Sequence, residues 1–311
     1  EYDALPGMGH GCGHQMQGPA ILGAAEAIRQ AAGDNPFTLT VYGTPGEENI
    51  SGKYIMIRNG CTFEELDVAL MMHGGPATQT DIKCLANAEY DLTYHGKAAH
   101  AALKPEAGRS SLDAMCLAFH GMECLREHVT DDVRLHYNIT DGGGTAANVV
   151  PSLTKAQVMV RANTVKAVKE LMVRLEKIFQ GAALMTETEV EAKVGKILDN
   201  KIPNLQLNDI LMKHARALQA PNCQPPRQRT GSTDFANVMH RVPGSCIRVA
   251  FVPEGTPAHS ESYLKAGKTE AAHEAIGYGS RILAGACGAI LDDPARLTAM
   301  WEEFRKRKAS H

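Results

Sequence analysis

Gly11-Cys12-Gly13-His14 places a thiol and an imidazole two residues apart between glycines, which let the backbone turn both side chains toward one point. A thiolate and an imidazole are both ligands of a divalent cation such as zinc. Three further stretches carry related chemistry: Glu47-Glu48 after Gly43-Thr44-Pro45-Gly46, His73 before Gly74-Gly75-Pro76, and His259 after Gly255-Thr256-Pro257-Ala258. Singly, each has an ordinary reading, adjacent glutamates as solvated surface and a histidine as a capping or core residue. Together they make the mixed sulfur, nitrogen and oxygen set that Zn, Mn or Co accepts.

The elements that must position these groups alternate. Helical spacing of Ile21, Leu22, Ala25 and Ile28 predicts a helix over 19–30, β-rich composition a strand over 37–41, then a short helix over 51–59 and a buried-type strand over 68–72 running into His73. This implies an α/β fold, a mostly parallel sheet with helices on both faces, whose strands end at a shared crevice. Cys12, His14, Glu47, Glu48 and His73 all fall at predicted strand ends or their adjoining loops.

From 84 to 199 the order changes to strand, helix, strand, strand, helix, strand, at 85–95, 111–128, 133–140, 156–162, 165–181 and 186–197. That is the ferredoxin-like α+β order, expected as an inserted satellite domain. The stripe Leu112, Met115, Cys116, Phe119, Met122 and Leu125 is expected to pack its core. His100, in Gly96-Lys97-Ala98-Ala99-His100, reads by itself as a surface histidine, and Asp141-Gly142-Gly143-Gly144 lacks the Lys-Ser/Thr of a phosphate loop. After 200 the first pattern resumes, with a helix at 205–218, a strand at 246–251 leading to His259, a helix at 266–286 and a charged final helix. The catalytic domain is therefore expected to be discontinuous, 1–83 with 200–311, around a satellite at 84–199.

Composition narrows the class. A chain of 311 residues, 44% apolar and 22% charged, has the make-up of a globular protein large enough for two cores. A net charge of −3 and the lack of a basic block before Arg305-Lys306-Arg307-Lys308 argue against nucleic acid as a partner. No apolar run reaches membrane-spanning length, and eight cysteines without paired spacing suggest reduced thiols and a cytoplasmic location. The chain opens on Glu1-Tyr2-Asp3-Ala4-Leu5-Pro6, without Met and as if in mid-motif, so a fragment is expected.

The runs EYDALPGMGHGCGHQ, GTPGEE, MMHGGP, GKAAHAALKPEAGRSSLDA, HYNITDGGG, ANVVPS, LMTETEVEAK, GSTDFANV and GTPAHSE span the whole chain. Together they resemble the dinuclear metallopeptidase family of aminoacylases, carboxypeptidases and related amidohydrolases, closest to its p-aminobenzoyl-glutamate hydrolase and β-alanyl-lysine dipeptidase branch. The resemblance implies that Cys12, His14, Glu48, His73 and His259 hold two divalent metal ions (Zn or Mn, with Co accepted) and that Glu47 is the general base. It implies that His100 reaches a partner's site in a homodimer formed through the satellite domain, where it stabilises an oxyanion. Asn148 and Arg161 match positions near the substrate's carboxylate side. The sequence departs from the pattern at Gln15, where relatives often have Asn or Asp, and lacks the family's upstream half-domain.

The reaction this implies is cleavage, by a metal-activated water, of the amide bond of an N-acyl or aminoacyl amino acid, such as an aminobenzoyl-glutamate-like conjugate or a dipeptide. Two alternatives stay open: attack by Cys12 itself with His14 or His73 as base, and a catalytically silent homologue that keeps the fold to bind a small molecule.

Overall fold

The structure is a computed structural model and describes residues 9–32, 36–228 and 231–309. The chain folds as two compact units, residues 1–84 with 201–311, and residues 85–200. In chain order the helices and strands are α1 (Gln17–Ala31), α2 (Gly52–Arg58), β1 (Ala69–Gly75), β2 (Gln79–Thr80), β3 (Ala86–His95), α3 (Ser111–Arg126), β4 (Arg134–Asp141), β5 (Leu153–Ala162), α4 (Val165–Thr186), β6 (Glu189–Leu198), α5 (Leu205–Ala217), α6 (Phe235–Met239), β7 (Gly244–Ala250), α7 (Glu261–Ala266), α8 (Glu270–Leu291) and α9 (Pro294–Lys308).

In the first unit β1 and β7 pair in parallel, and β2 adds antiparallel to β7. Because side chains alternate along a strand, each face of this pair meets a different layer. Met72, Ile247 and Val249 pack with α1, α5 and α8, whereas Ala69, Met71 and Cys246 face Phe63, Phe235 and Met239 around α6. The sheet thus has helices on both faces, as the alternating pattern predicts. The parallel register sets His73 beside Arg248.

The structure departs from the sequence expectation in several places. Residues 37–41 form no strand: they are exposed, and among the described residues no neighbouring strand takes their backbone hydrogen bonds, so β-rich composition alone is not enough. The helix expected over 266–286 starts later and runs further, as α8 over Glu270–Leu291, and a separate short helix, α7, precedes it. Ser260 Oγ accepts from the Tyr263 N–H to start α7, Gly267-Lys268 breaks the run, and α8 begins after Thr269.

The second unit is an antiparallel sheet in the order β4-β5-β3-β6, crossed by α3 and α4, which is the ferredoxin-like arrangement. Its core centres on Tyr90, Tyr94 and Phe179; burying two phenols is tolerated because Tyr94 Oη donates to the Phe179 carbonyl at 2.9 Å and Tyr90 Oη to Glu176 at 3.1 Å. Ala114, Met115, Ala118, Met122 and Leu125 form the buried face of α3. Cys116, expected in that stripe, is exposed because it follows Met115 by one residue and so lies about 100° round the helix.

Among the described residues, no helix is long and apolar enough to cross a membrane.

Candidate metal centre

The site is assembled by four segments of the first unit. Gly13 takes φ 82, a left-handed conformation open to glycine, and so ends the Gly11–Gly13 turn and starts the short 3-10 helix at His14–Met16. A side chain at Gly13 would press on Met16 and Phe251, so the turn sits tightly over the end of β7. Cys12 and His14 therefore project from a fixed turn.

Glu47 and Glu48 follow Gly46, which has φ 75 and whose carbonyl accepts from the Ile50 and Ser51 N–H groups at 3.0 and 2.7 Å. Gly52 packs so closely on the Pro45 carbonyl that a Cβ there would collide with its oxygen. The loop is pinned from below by Lys53: its N–H and its Nζ donate to the two carboxylate oxygens of Asp234, each at 2.9 Å. That ion pair is buried, and 181 residues of sequence separate its members.

His73 stands on β1 itself rather than beyond it, since the strand runs to Gly75. Its Nδ1–H donates to the Gly74 carbonyl at 2.6 Å, which leaves Nε2 with its lone pair facing Cys12 Sγ at 3.7 Å. Burial, then the positive charge of Arg248, then His14 hold the His73 imidazole well below its usual pKa, so it is neutral and able to ligate. His259 has φ 60, and its N–H donates to the Gly11 carbonyl at 2.8 Å, tying the loop after β7 to the Cys12 turn.

The predicted groups of this unit converge. Donor atoms of Cys12, His14 and His73 all lie within 4.8 Å of one another, as do those of Cys12, Glu48 and His259, and those of His14, Glu47 and Glu48. Glu48 Oε1 is 3.9 Å from His14 Nε2 and 3.6 Å from His259 Nε2. Three overlapping clusters sharing Cys12, His14 and Glu48 fit more than one cation, and thiolate with imidazole and carboxylate is a donor mixture suited to a borderline divalent metal. All of these residues line one cavity of about 500 Å³, so a substrate has room beside them.

Burial, then the charges of Asp234 and Glu48, push the Glu47 carboxyl above the usual carboxylate range, against the opposing pull of Lys53 and a hydrogen bond from Thr233. A carboxylate with raised proton affinity is a suitable general base.

His100, Asn148 and Arg161 lie in the second unit. His100 is exposed, and its Nδ1 accepts from the Ala102 and Leu103 N–H groups at 3.2 and 3.3 Å. The Asn148 carbonyl accepts from Ala101 N–H, and Arg161 lies on β5 between Asn87 and Arg134 with its guanidinium against Met159 Sδ. A set of charged groups behind the donors has no counterpart in the sequence motifs: Asp81 accepts from Lys201 Nζ at 2.7 Å and from Arg248 Nε at 3.1 Å. Arg248 Nη1 in turn lies 3.1 Å from His73 Nδ1. No local signal marks these residues, because Arg248 meets His73 through the β1–β7 register and Asp81 through the β2–β7 pairing, while Lys201 reaches Asp81 from a loop 120 residues away.

Fold and site define the class: a hydrolase with a metal-binding centre that acts on amide bonds. The chain belongs to peptidase family M20/M25/M40, whose model matches residues 1–284. It is 29% identical to a p-aminobenzoyl-glutamate hydrolase polypeptide of Escherichia coli K12 over 98% of this chain and 79% of that protein. It is 33% identical to the Xaa-Arg dipeptidase of Mus musculus over 98% of this chain and 72% of the relative. Among solved structures the fold is shared with the aminobenzoyl-glutamate utilization protein of Klebsiella pneumoniae (TM-score 0.65, 24% identity, 85% of this chain and 66% of that one). It is also shared with a Bacillus subtilis dinuclear metal binding peptidase from the M20 family (TM-score 0.63, 18% identity, 93% and 75%).

Proposed function

We propose that the protein hydrolyses the amide bond of an N-acyl or aminoacyl amino acid, a conjugate of the aminobenzoyl-glutamate kind or a dipeptide, at two divalent metal ions held by Cys12, His14, Glu48, His73 and His259. The observation that supports this is the placement of the adjacent carboxylates: Glu48 Oε1 lies 3.9 Å and 3.6 Å from the Nε2 atoms of His14 and His259, and burial with the charges of Asp234 and Glu48 pushes the Glu47 carboxyl above the usual carboxylate range. Bound divalent cations supply Lewis acidity toward a carbonyl oxygen and acidify water. Glu47 takes the proton from the attacking water and delivers it to the departing nitrogen, so one carboxyl serves as base and then acid. The Lys53–Asp234 pair beneath the loop holds that carboxyl in place.

His100 of a second copy stabilises the oxyanion in this reading, with Asn148 and Arg161 on the substrate's carboxylate side. The protein then works as a cytoplasmic homodimer joined through the 85–200 unit, with Zn, Mn or Co as the metal. The substrate class is supported by the names of the relatives, one a p-aminobenzoyl-glutamate hydrolase and one an Xaa-Arg dipeptidase.

The test is a panel of acyl-amino acids, aminobenzoyl-glutamate and dipeptides ending in a basic residue, assayed with the metal-loaded protein, together with mass spectrometry of protein quenched during turnover. Release of free amine with no covalent adduct is expected. An acyl group trapped on Cys12 would replace the water mechanism with nucleophilic attack by the thiolate.

A further inference from the structure

Of the chain's eight cysteines two are exposed, Cys116 and Cys124, and both stand on α3. The other six are buried or half-buried, the common place for a free thiol. His120 is also exposed and falls midway between the two, so the outer face of α3 reads Cys116, His120, Cys124 at successive four-residue steps. Ser110 caps the helix by accepting from the Asp113 N–H at 3.1 Å, and the helix runs unbroken to Arg126. The spacing of the three side chains is therefore set by a regular helix.

Residues four apart on a helix have Cβ atoms about 5–6 Å apart and can close on one ion, as the two histidines of a His-Glu-x-x-His helix do on zinc. Cys116 with His120, and His120 with Cys124, are two such pairs that share the imidazole. The thiols themselves are separated by about 12 Å along the axis, too far to meet on one ion at a metal–sulfur length of about 2.3 Å. One ion thus takes His120 and either thiolate. The nearby carboxylate of Glu123 is engaged elsewhere, accepting from Arg126 Nε at 2.7 Å and from Tyr137 Oη of β4 at 2.8 Å.

We propose that this face of α3 is a further metal site, which takes one thiophilic divalent cation of the Zn(II) or Cd(II) kind. The neutral imidazole gives its lone pair, the thiol releases its proton to solvent as the metal–sulfur bond forms, and water fills the remaining positions. A thiolate with an imidazole selects such ions over Mg or Ca, which prefer oxygen donors. The site belongs to the 85–200 unit and is independent of the amide-hydrolase reading.

Cd(II) is the probe, because a cadmium–thiolate bond absorbs in the ultraviolet. Reduced, Zn-loaded protein is titrated with Cd(II) by absorbance, and its metal content is measured after equilibrium dialysis. The proteins are wild type, His120→Ala, Cys116→Ser, Cys124→Ser and the double variant Cys116→Ser/Cys124→Ser, all altered only at exposed positions. Wild type should hold one more Cd(II) per chain than the double variant. Each single Cys variant keeps one pair and should bind within about 2-fold of wild type, whereas His120→Ala loses chelation and should bind about 10²-fold more weakly. Equal uptake by wild type and the double variant would overturn the site. So would tight binding retained in His120→Ala, the behaviour of isolated surface thiols.

Discussion

Glu47→Gln is expected to lower turnover by about 10³-fold while leaving the bound metal in place, since general-base catalysis by a positioned side chain contributes about 10²- to 10⁴-fold. The substitution keeps the shape of the side chain and removes only its ability to accept and return a proton. The proposed ligands Cys12, His14, Glu48, His73 and His259 are untouched, so metal stoichiometry by elemental analysis should match wild type. Burial and the nearby charges of Asp234 and Glu48 already raise the proton affinity of Glu47, which is what a base for water requires. A variant that keeps wild-type turnover would remove Glu47 from the chemistry and return attention to Cys12 as nucleophile.

The second large effect is on stability. Asp81→Asn leaves Lys201 and Arg248 buried without their counter-charge, and breaking a buried ion pair in this way costs about 3–5 kcal/mol. Burial alone would raise the Asp81 pKa, but Lys201 and Arg248 outweigh it and hold the carboxyl well below its usual value. A carboxyl depressed in the folded state contributes stability that is present above its unfolded pKa and is lost as the pH falls through the folded value. Wild type should therefore lose urea resistance on acidification below the ordinary carboxylate range, and Asp81→Asn should start lower and lose less. An unchanged urea midpoint in Asp81→Asn at neutral pH would show that the triad contributes little.

Glu47 and Asp81 also mark how far the sequence can be read. Cys12, His14, Glu47, Glu48, His73 and His259 are legible because ligand-type residues stand beside glycine-rich turns at the ends of apolar runs, and the structure brings all six to one cavity. Asp81, Lys201, Arg227 and Arg248 are not, because they meet only through tertiary contacts between segments 120 residues or more apart in sequence. Lys53 and Asp234 are hidden for the same reason. The strand expected at 37–41 fails in the opposite way: local composition favours a strand, but a strand exists only with a partner. His73 lies inside its strand rather than after it, since β1 continues through the two glycines that follow; the close approach of Met16 and Phe251 to Gly74 leaves no space there for a side chain.

Whether amide cleavage depends on metal held by these donors decides the proposed chemistry. The most direct measurement is turnover of the best amide substrate before chelation, after chelation, and after adding back Zn, Mn or Co, with metal content determined at each stage. The predicted result is about two metal ions per chain, loss of turnover on chelation and its return with metal, as expected of a two-ion hydrolytic centre. Undiminished cleavage by protein shown to be free of metal would contradict it.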